Sequence, residues 1–227
     1  MSAPPPAAGR RCRIAVLASG RGSNLQALLD AIATGTLAAE IAGVLSDRPD
    51  AQALARARAA GVPARALSPA DHASRAAFDA ALFEAVDALA PDLIVCAGYM
   101  RLIDAAAVAP RSARTINIHP SLLPAFKGLR THRQALAAGV ATHGASVHFV
   151  TPDLDGGPVI AQAAVPVLPG DDEAALAARV LAREHPLLVE TVRRLAAGRI
   201  RLTAGGIESD GRPLPAPLQL GANNRFA

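Results

Sequence analysis

Two hydrophobic periods alternate along the first hundred residues. Residues 13–18 (RIAVLA) form a short aliphatic run of the length of a buried strand, and a glycine loop follows them. Leu25, Leu28, Leu29 and Ile32 then recur at helical spacing until Gly35 ends the helix. The unit repeats: residues 40–46 predict a strand, 50–60 a helix closed by Gly61, and 62–67 a third strand. Ser68-Pro69 opens a predicted long helix to Ala90 with Phe78, Leu82, Phe83, Val86 and Leu89 on its inner side, and residues 92–97 (DLIVCA) predict a fourth strand. Strands alternating with helices predict an α/β fold, a Rossmann-like open, mostly parallel sheet with right-handed crossovers and helices on both faces.

The period changes at Ile116-Asn117-Ile118-His119-Pro120. In a strand the two isoleucines enter a core while Asn117 and His119 share the opposite face, and Pro120 stops the ladder because it has no N–H to give. After a short helix around residues 134–138, residues 145–150 and 159–167 predict antiparallel edge strands joined by the turn at 153–157. Asp171-Asp172-Glu173 sets three carboxylates at the start of a long amphipathic helix, where they complement its dipole, and Pro186 is expected to kink that helix. The resulting organisation is a mobile tail at 1–12, one domain at 13–202, and a Pro/Gly-rich tail at 203–227.

Composition narrows the class. No run of eighteen apolar residues occurs in the 227, and the start lacks the apolar stretch of a secretory leader, so a cytoplasmic protein without membrane or nucleic-acid partners is expected. The net charge of +4 rests on arginines scattered over helices, with one lysine (Lys127), one tyrosine and no tryptophan to stack bases. Cys12 and Cys96 stand apart in apolar runs and read as reduced core thiols, and the histidines show no metal-ligand spacing.

Two constellations carry chemistry. In Ser19-Gly20-Arg21-Gly22-Ser23-Asn24, Gly22, Ser23 and Asn24 open a helix whose free N–H groups and dipole favour a phosphate. Leu25 stands where a dinucleotide pattern needs its third glycine, so one phosphate is expected in place of a pyrophosphate. Asp47, after the second strand, reads as a turn or cap residue before Pro49. The second constellation is Asn117, His119 and Asp155: an amide and an imidazolium both donate to an oxygen gaining negative charge, and a carboxylate nearby is expected to raise the His119 pKa and keep it a general acid. No Gly-x-Ser-x-Gly elbow is present, so the substrate has to bring its own nucleophile.

Four separated motifs, residues 19–25, 97–103, 117–124 and 144–159, occur in the order seen in the phosphoribosylglycinamide formyltransferases, which the chain resembles from about residue 13 to 202. The resemblance implies transfer of the formyl group of 10-formyltetrahydrofolate, as co-substrate and without a metal, to the amine of glycinamide ribonucleotide, in a monomer or homodimer. It implies catalysis by Asn117, His119 and Asp155, a phosphate on Gly22, Ser23 and Asn24, folate on Arg75, Met100, Arg101, Leu102, Ile103 and Asn117, and the amine or ribose near Glu184. It also divides the domain into a nucleotide-phosphate half at about 13–110 and a catalytic and folate half at about 111–202. Leu181 is apolar where some relatives are polar. A methionyl-tRNA formyltransferase would carry a further C-terminal domain and a formyltetrahydrofolate hydrolase a further N-terminal one. An inactive nucleotide-binding module would have no chemical need for Asn117, His119 and Asp155 together.

Overall fold

The structure, a computed structural model, describes residues 10–226, so most of the expected N-terminal tail lies outside the described residues. In chain order come β1 (Cys12–Leu17), α1 (Ser23–Ala33), β2 (Ala39–Ser46), α2 (Gln52–Ala59), β3 (Ala64–Ala66), α3 (Arg75–Ala88), β4 (Leu93–Cys96), α4 (Ala105–Val108) and β5 (Thr115–His119). They are followed by α5 (Thr131–Ala137), β6 (Thr142–Phe149), β7 (Val159–Pro166), α6 (Glu173–Ala196), β8 (Ile200–Thr203), β9 (Gly206–Ser209), β10 (Arg212–Pro213) and β11 (Leu218–Gln219). An eight-stranded sheet takes the order β11-β7-β6-β5-β4-β1-β2-β3, and β6 alone runs against its neighbours. The expected mostly parallel α/β sheet is therefore present, with β6 antiparallel to both β5 and β7.

The central strands are aliphatic throughout because both faces are covered. Ile14 and Val16 of β1 pack into the larger core with Leu25, Leu28, Val180 and Leu187 of α1 and α6, while Ala15 and Leu17 enter the second core with Phe78, Leu82 and Val86 of α3. Between β1 and β4 the chain order reverses, so the loops leaving their C-terminal ends diverge and open a crevice, the usual ligand position of such sheets.

Three local expectations differ from the structure. The long helix expected over 69–90 is two pieces: a 3-10 turn at Pro69–Asp71 capped by Ser68, then α3 capped by Ser74, whose hydroxyl accepts the Ala77 N–H at 3.1 Å. Serine caps compete with helical continuation, and His72 between them is extended. Cys12 is the first residue of β1 and Arg10 pairs with Asp92 at 2.6 Å, so residues 10–12 are tied to the sheet. The stretch from 203 onward is structured: β8, β9 and β10 form a small antiparallel sheet, and β11 pairs with β7. Asp210-Gly211, both at positive φ (52° and 76°), is the tight hairpin signal that gives this sheet away. Pro186 lies within α6, which is one helix from Glu173 to Ala196.

Candidate active site

At the C-terminal ends of β1 and β4 lies a cleft of about 520 Å³, lined by residues 20–24, Gly98, Met100, Ile118, Pro120, Leu181 and Glu184 among others. Its floor is the start of α1. Gly22 occupies the N-cap in the left-handed region (φ 71°) and no side chain caps the helix. A Cβ at Gly22 would stand 2.7 Å from Ala53 Cα, so only glycine fits both the turn and the packing of α2 beneath it. The N–H groups of Gly22, Ser23 and Asn24 have no partner among the described residues and lie at the positive end of the helix dipole. Asn24 donates from its amide to Glu184 at 3.0 Å, leaving its buried Oδ1 unpartnered. Burial pushes the Glu184 carboxyl up, against the hydrogen bond from Asn24 and the charge of Arg21.

The second side of the crevice is the irregular segment 97–104 after β4. Asp47, expected as a turn residue or cap, is instead buried and takes the Ser19 hydroxyl at 2.6 Å, while Ser19 Oγ accepts the Met100 N–H at 2.9 Å. The helix after it, α2, takes its cap at Ala51. The backbone groups of Arg101, Leu102 and Ile103 make no hydrogen bond among the described residues. Met100 and Leu102 are exposed and Ile103 is buried.

The third part is a polar patch on β5 and β6. The antiparallel register sets Asn117 opposite His148 and His119 opposite Ser146, so the alternation of each strand turns these side chains to one face. His119 Nε2 lies 3.0 Å from the Phe126 carbonyl, which only accepts, so that nitrogen carries a proton. Nδ1 faces Asp155 Oδ2 at 3.6 Å, and Asp155 Oδ2 also accepts the Gly128 N–H at 2.9 Å. Asp155 Oδ1 lies 3.6 Å from His148 Nε2. His148 Nδ1 is 2.8 Å from the Phe149 carbonyl and therefore donates, while its Nε2 lies 3.2 Å from Asn117 Nδ2. The Asn117 side chain makes no other hydrogen bond among the described residues, so its second N–H is available to a ligand oxygen.

Electrostatics correct one expectation. Burial lowers the His119 pKa below its ordinary value, and the Phe126 carbonyl and Asp155, which both act to raise it, do not compensate. His119 is 5% exposed, so desolvation of the imidazolium outweighs a carboxylate 3.6 Å away. Asp155 is pulled up by its burial, yet His148, the Gly128 N–H and the charge of His119 together hold it below the usual carboxylate range. It adopts φ 44°, a left-handed conformation that Asp tolerates better than most residues. Gly157 lets this turn close: a Cβ there would stand 1.8 Å from the Phe149 carbonyl oxygen. Among the described residues no group of His, Cys, Asp and Glu is arranged to hold a metal ion.

Of the residues singled out in the sequence, Gly22, Ser23, Asn24, Met100 and Glu184 meet at the cleft, while His119, Asp155 and Asn117 meet at the patch. Arg75 does neither: it is exposed at the first turn of α3. Arg101 turns away to stack on Phe78, 5.2 Å from the ring centroid. Sequence reasoning missed His148, Ser146 and Gln162. Ser146 Oγ takes the Leu123 N–H at 3.0 Å and a bond from Gln162 at 3.0 Å, fixing the loop after His119. The signal was present, since His148 and Ser146 alternate with Val147 and Phe149 as Asn117 and His119 do with Ile118.

The sequence pattern of the formyl transferase family matches residues 12–192. The phosphoribosylglycinamide formyltransferase of Escherichia coli (strain K12) is 46% identical over 202 residues, covering 89% of this chain and 95% of that one. The glycinamide ribonucleotide transformylase 1 of Symbiobacterium toebii superposes with a TM-score of 0.85 at 49% identity, covering 88% and 95% of the two chains. The phosphoribosylglycinamide formyltransferase of Coxiella burnetii gives a TM-score of 0.87 at 46% identity, covering 90% and 96%. With the family pattern over most of its length and these relatives matched nearly end to end, the chain belongs to the formyl transferase family, among the phosphoribosylglycinamide formyltransferases.

Proposed function

We propose that the chain transfers the formyl group of 10-formyltetrahydrofolate to the amine of glycinamide ribonucleotide, the third step of de novo purine synthesis, with the cytoplasm as its site of action. The observation that carries the residue assignment is the meeting of Asn117, His119 and Asp155 beside a cleft floored by an uncapped helix start. The phosphate binds the N–H groups of Gly22, Ser23 and Asn24. A ribose hydroxyl donates to the unpartnered Asn24 Oδ1 or to Glu184, and the free backbone groups of residues 101–103 read the edge of the pterin.

The amine attacks the formyl carbon, and the carbonyl oxygen becomes an oxyanion that accepts from Asn117. A neutral His119 suits this reaction better than the standing imidazolium the sequence suggested. The amine must lose a proton and the departing N10 must gain one, so His119 Nδ1, the nitrogen not committed to the Phe126 carbonyl, takes that proton as base and gives it up as acid. While charged, its two N–H groups have acceptors at Asp155 and the Phe126 carbonyl. Collapse breaks the bond between carbon and N10, and the proton passes to N10. Nucleotide and folate thus supply nucleophile and leaving group, consistent with the lack of a serine or cysteine nucleophile: burial pushes the thiols of Cys12 and Cys96 up to about 12.

The test is a steady-state assay of the purified protein with the formyl folate, following folate release with and without glycinamide ribonucleotide. Release that requires the nucleotide is the expected result. Release without it would make the protein a hydrolase, and no release would leave a binding module.

A further inference from the structure

The segment 97–104 has no regular structure, and besides backbone bonds of its ends to Leu17, Ser19 and α4, two side chains hold it to the body of the protein. At one end Met100 N–H donates to Ser19 Oγ, which is itself bonded to buried Asp47. At the other, Asp104 N–H donates to Asp79 Oδ2 at 2.7 Å. Between these ties the backbone groups of residues 101–103 are free, so a fixed pattern of donors and acceptors there has to be imposed from beneath.

Asp79 lies beneath. It stands on the buried face of α3 beside Phe78 and is fully enclosed, a position where a carboxylate costs far more than an apolar side chain unless its oxygens are used. Oδ2 is used by Asp104, while Oδ1 has no partner. Two further buried polar atoms of the segment, the Tyr99 hydroxyl and Arg101 Nε, have none either. Arg101 stacks on Phe78, the residue before Asp79, and Tyr99 packs against the core cluster that holds Phe78, so all three side chains meet the same turn of α3.

We propose that Asp79 is a positioning residue for the formyl donor: it fixes the backbone of 99–104 by holding Asp104 directly and by holding Tyr99 and Arg101 through one enclosed water. A water needs two to four polar partners, and Asp79 Oδ1, the Tyr99 hydroxyl and Arg101 Nε supply them. The proposal rests on the reading of residues 100–103 as the folate-binding segment.

The experiment combines kinetics with hydrogen exchange of the free protein, on Asp79→Leu, Asp79→Asn and Tyr99→Phe. Asp79→Leu is expected to raise the donor KM roughly tenfold while kcat and the nucleotide KM stay within about twofold, the pattern of a lost tie to one substrate's site. Amides of 99–104 exchange faster in that variant, and the sheet keeps its protection. Asp79→Asn, which keeps an oxygen for Asp104, recovers most of the donor KM. A parallel rise in both KM values with protection lost throughout would reduce Asp79 to a stability residue and overturn the proposal, as would unchanged exchange at 99–104. Faster exchange with an unmoved donor KM would uphold the anchor and overturn the folate reading instead. If the leucine variant does not fold, Tyr99→Phe decides: the donor KM rises about two- to fivefold if the hydroxyl is part of the tie and is unmoved if it is not.

Discussion

The cleft floor and the strand-borne polar patch of this molecule are made of different material. The cleft floor at the start of α1 is backbone: its donors are N–H groups that cannot titrate, and its shape depends on Gly22 having no side chain. The patch on β5 and β6 is side chain, with Asn117, His119, His148 and Asp155 meeting across strand register and loop closure. Backbone chemistry suits holding an anion, which needs fixed dipoles and no proton traffic. Side-chain chemistry suits moving a proton, which needs groups that can change charge.

The contrast breaks hardest at His119. His119→Ala is expected to lower kcat by roughly two to four orders of magnitude, the usual yield of a general acid–base that also supports an oxyanion, with the nucleotide KM little changed. Near-normal turnover would remove His119 from the chemistry. Asp155→Asn comes next, at about 100-fold or more in kcat, since it removes the charge that supports the imidazolium while keeping the side chain's size; equal losses in kcat and in thermal stability would instead make Asp155 a folding residue. Gly22→Ala should act on the other surface. An alanine in the left-handed region costs about 1–2 kcal/mol before its Cβ displaces Ala53, so the nucleotide KM should rise about tenfold with a smaller change in kcat. An unchanged nucleotide KM would mean the phosphate sits elsewhere.

The smallest effect concerns pH. His143, buried against His132 at 3.2 Å, has its pKa pushed from 6.5 down to about 4, first by burial and then by the charges of His132 and His119. Between those values the unfolded chain binds a proton that the folded protein refuses, so stability falls as pH drops from 6.5 toward about 4; above 6.5 both states are neutral and the residue contributes no slope. His143→Gln should flatten that slope by up to about 1.4 kcal/mol per pH unit, read from denaturant melts in this window. An unchanged slope would assign it to other groups, and nucleotide affinity from the backbone-built floor should not follow it.

The same contrast explains what could be read from the sequence. The strand–loop–helix repeats were legible because buried parallel strands and one-sided helices leave clean periods. The glycine loop was legible because the residues it brings to the cleft are consecutive. The patch was half legible. Asn117 and His119 are neighbours on one strand, but His148 joins them only through the β5–β6 register, and Asp155 reaches His119 only because the Gly157 turn closes. The direction of the His119 pKa was not legible at all, because a carboxylate can be counted in a sequence while desolvation needs the finished packing. Strands of two to four residues after 199 fell below any periodic signal, although Asp210-Gly211 marked their turn.

The outermost strands of the large sheet carry one more implication. β3 has three residues and β11 has two, and Pro213, Pro215 and Pro217 stand just ahead of β11. A ladder needs a run of free N–H and C=O groups to recruit a new strand, and β3 and β11 themselves each offer only a short one. The strands at both borders of the sheet are thus short and, on one side, proline-flanked, and what looks like an unpatterned C-terminus supplies one of them as a selvedge.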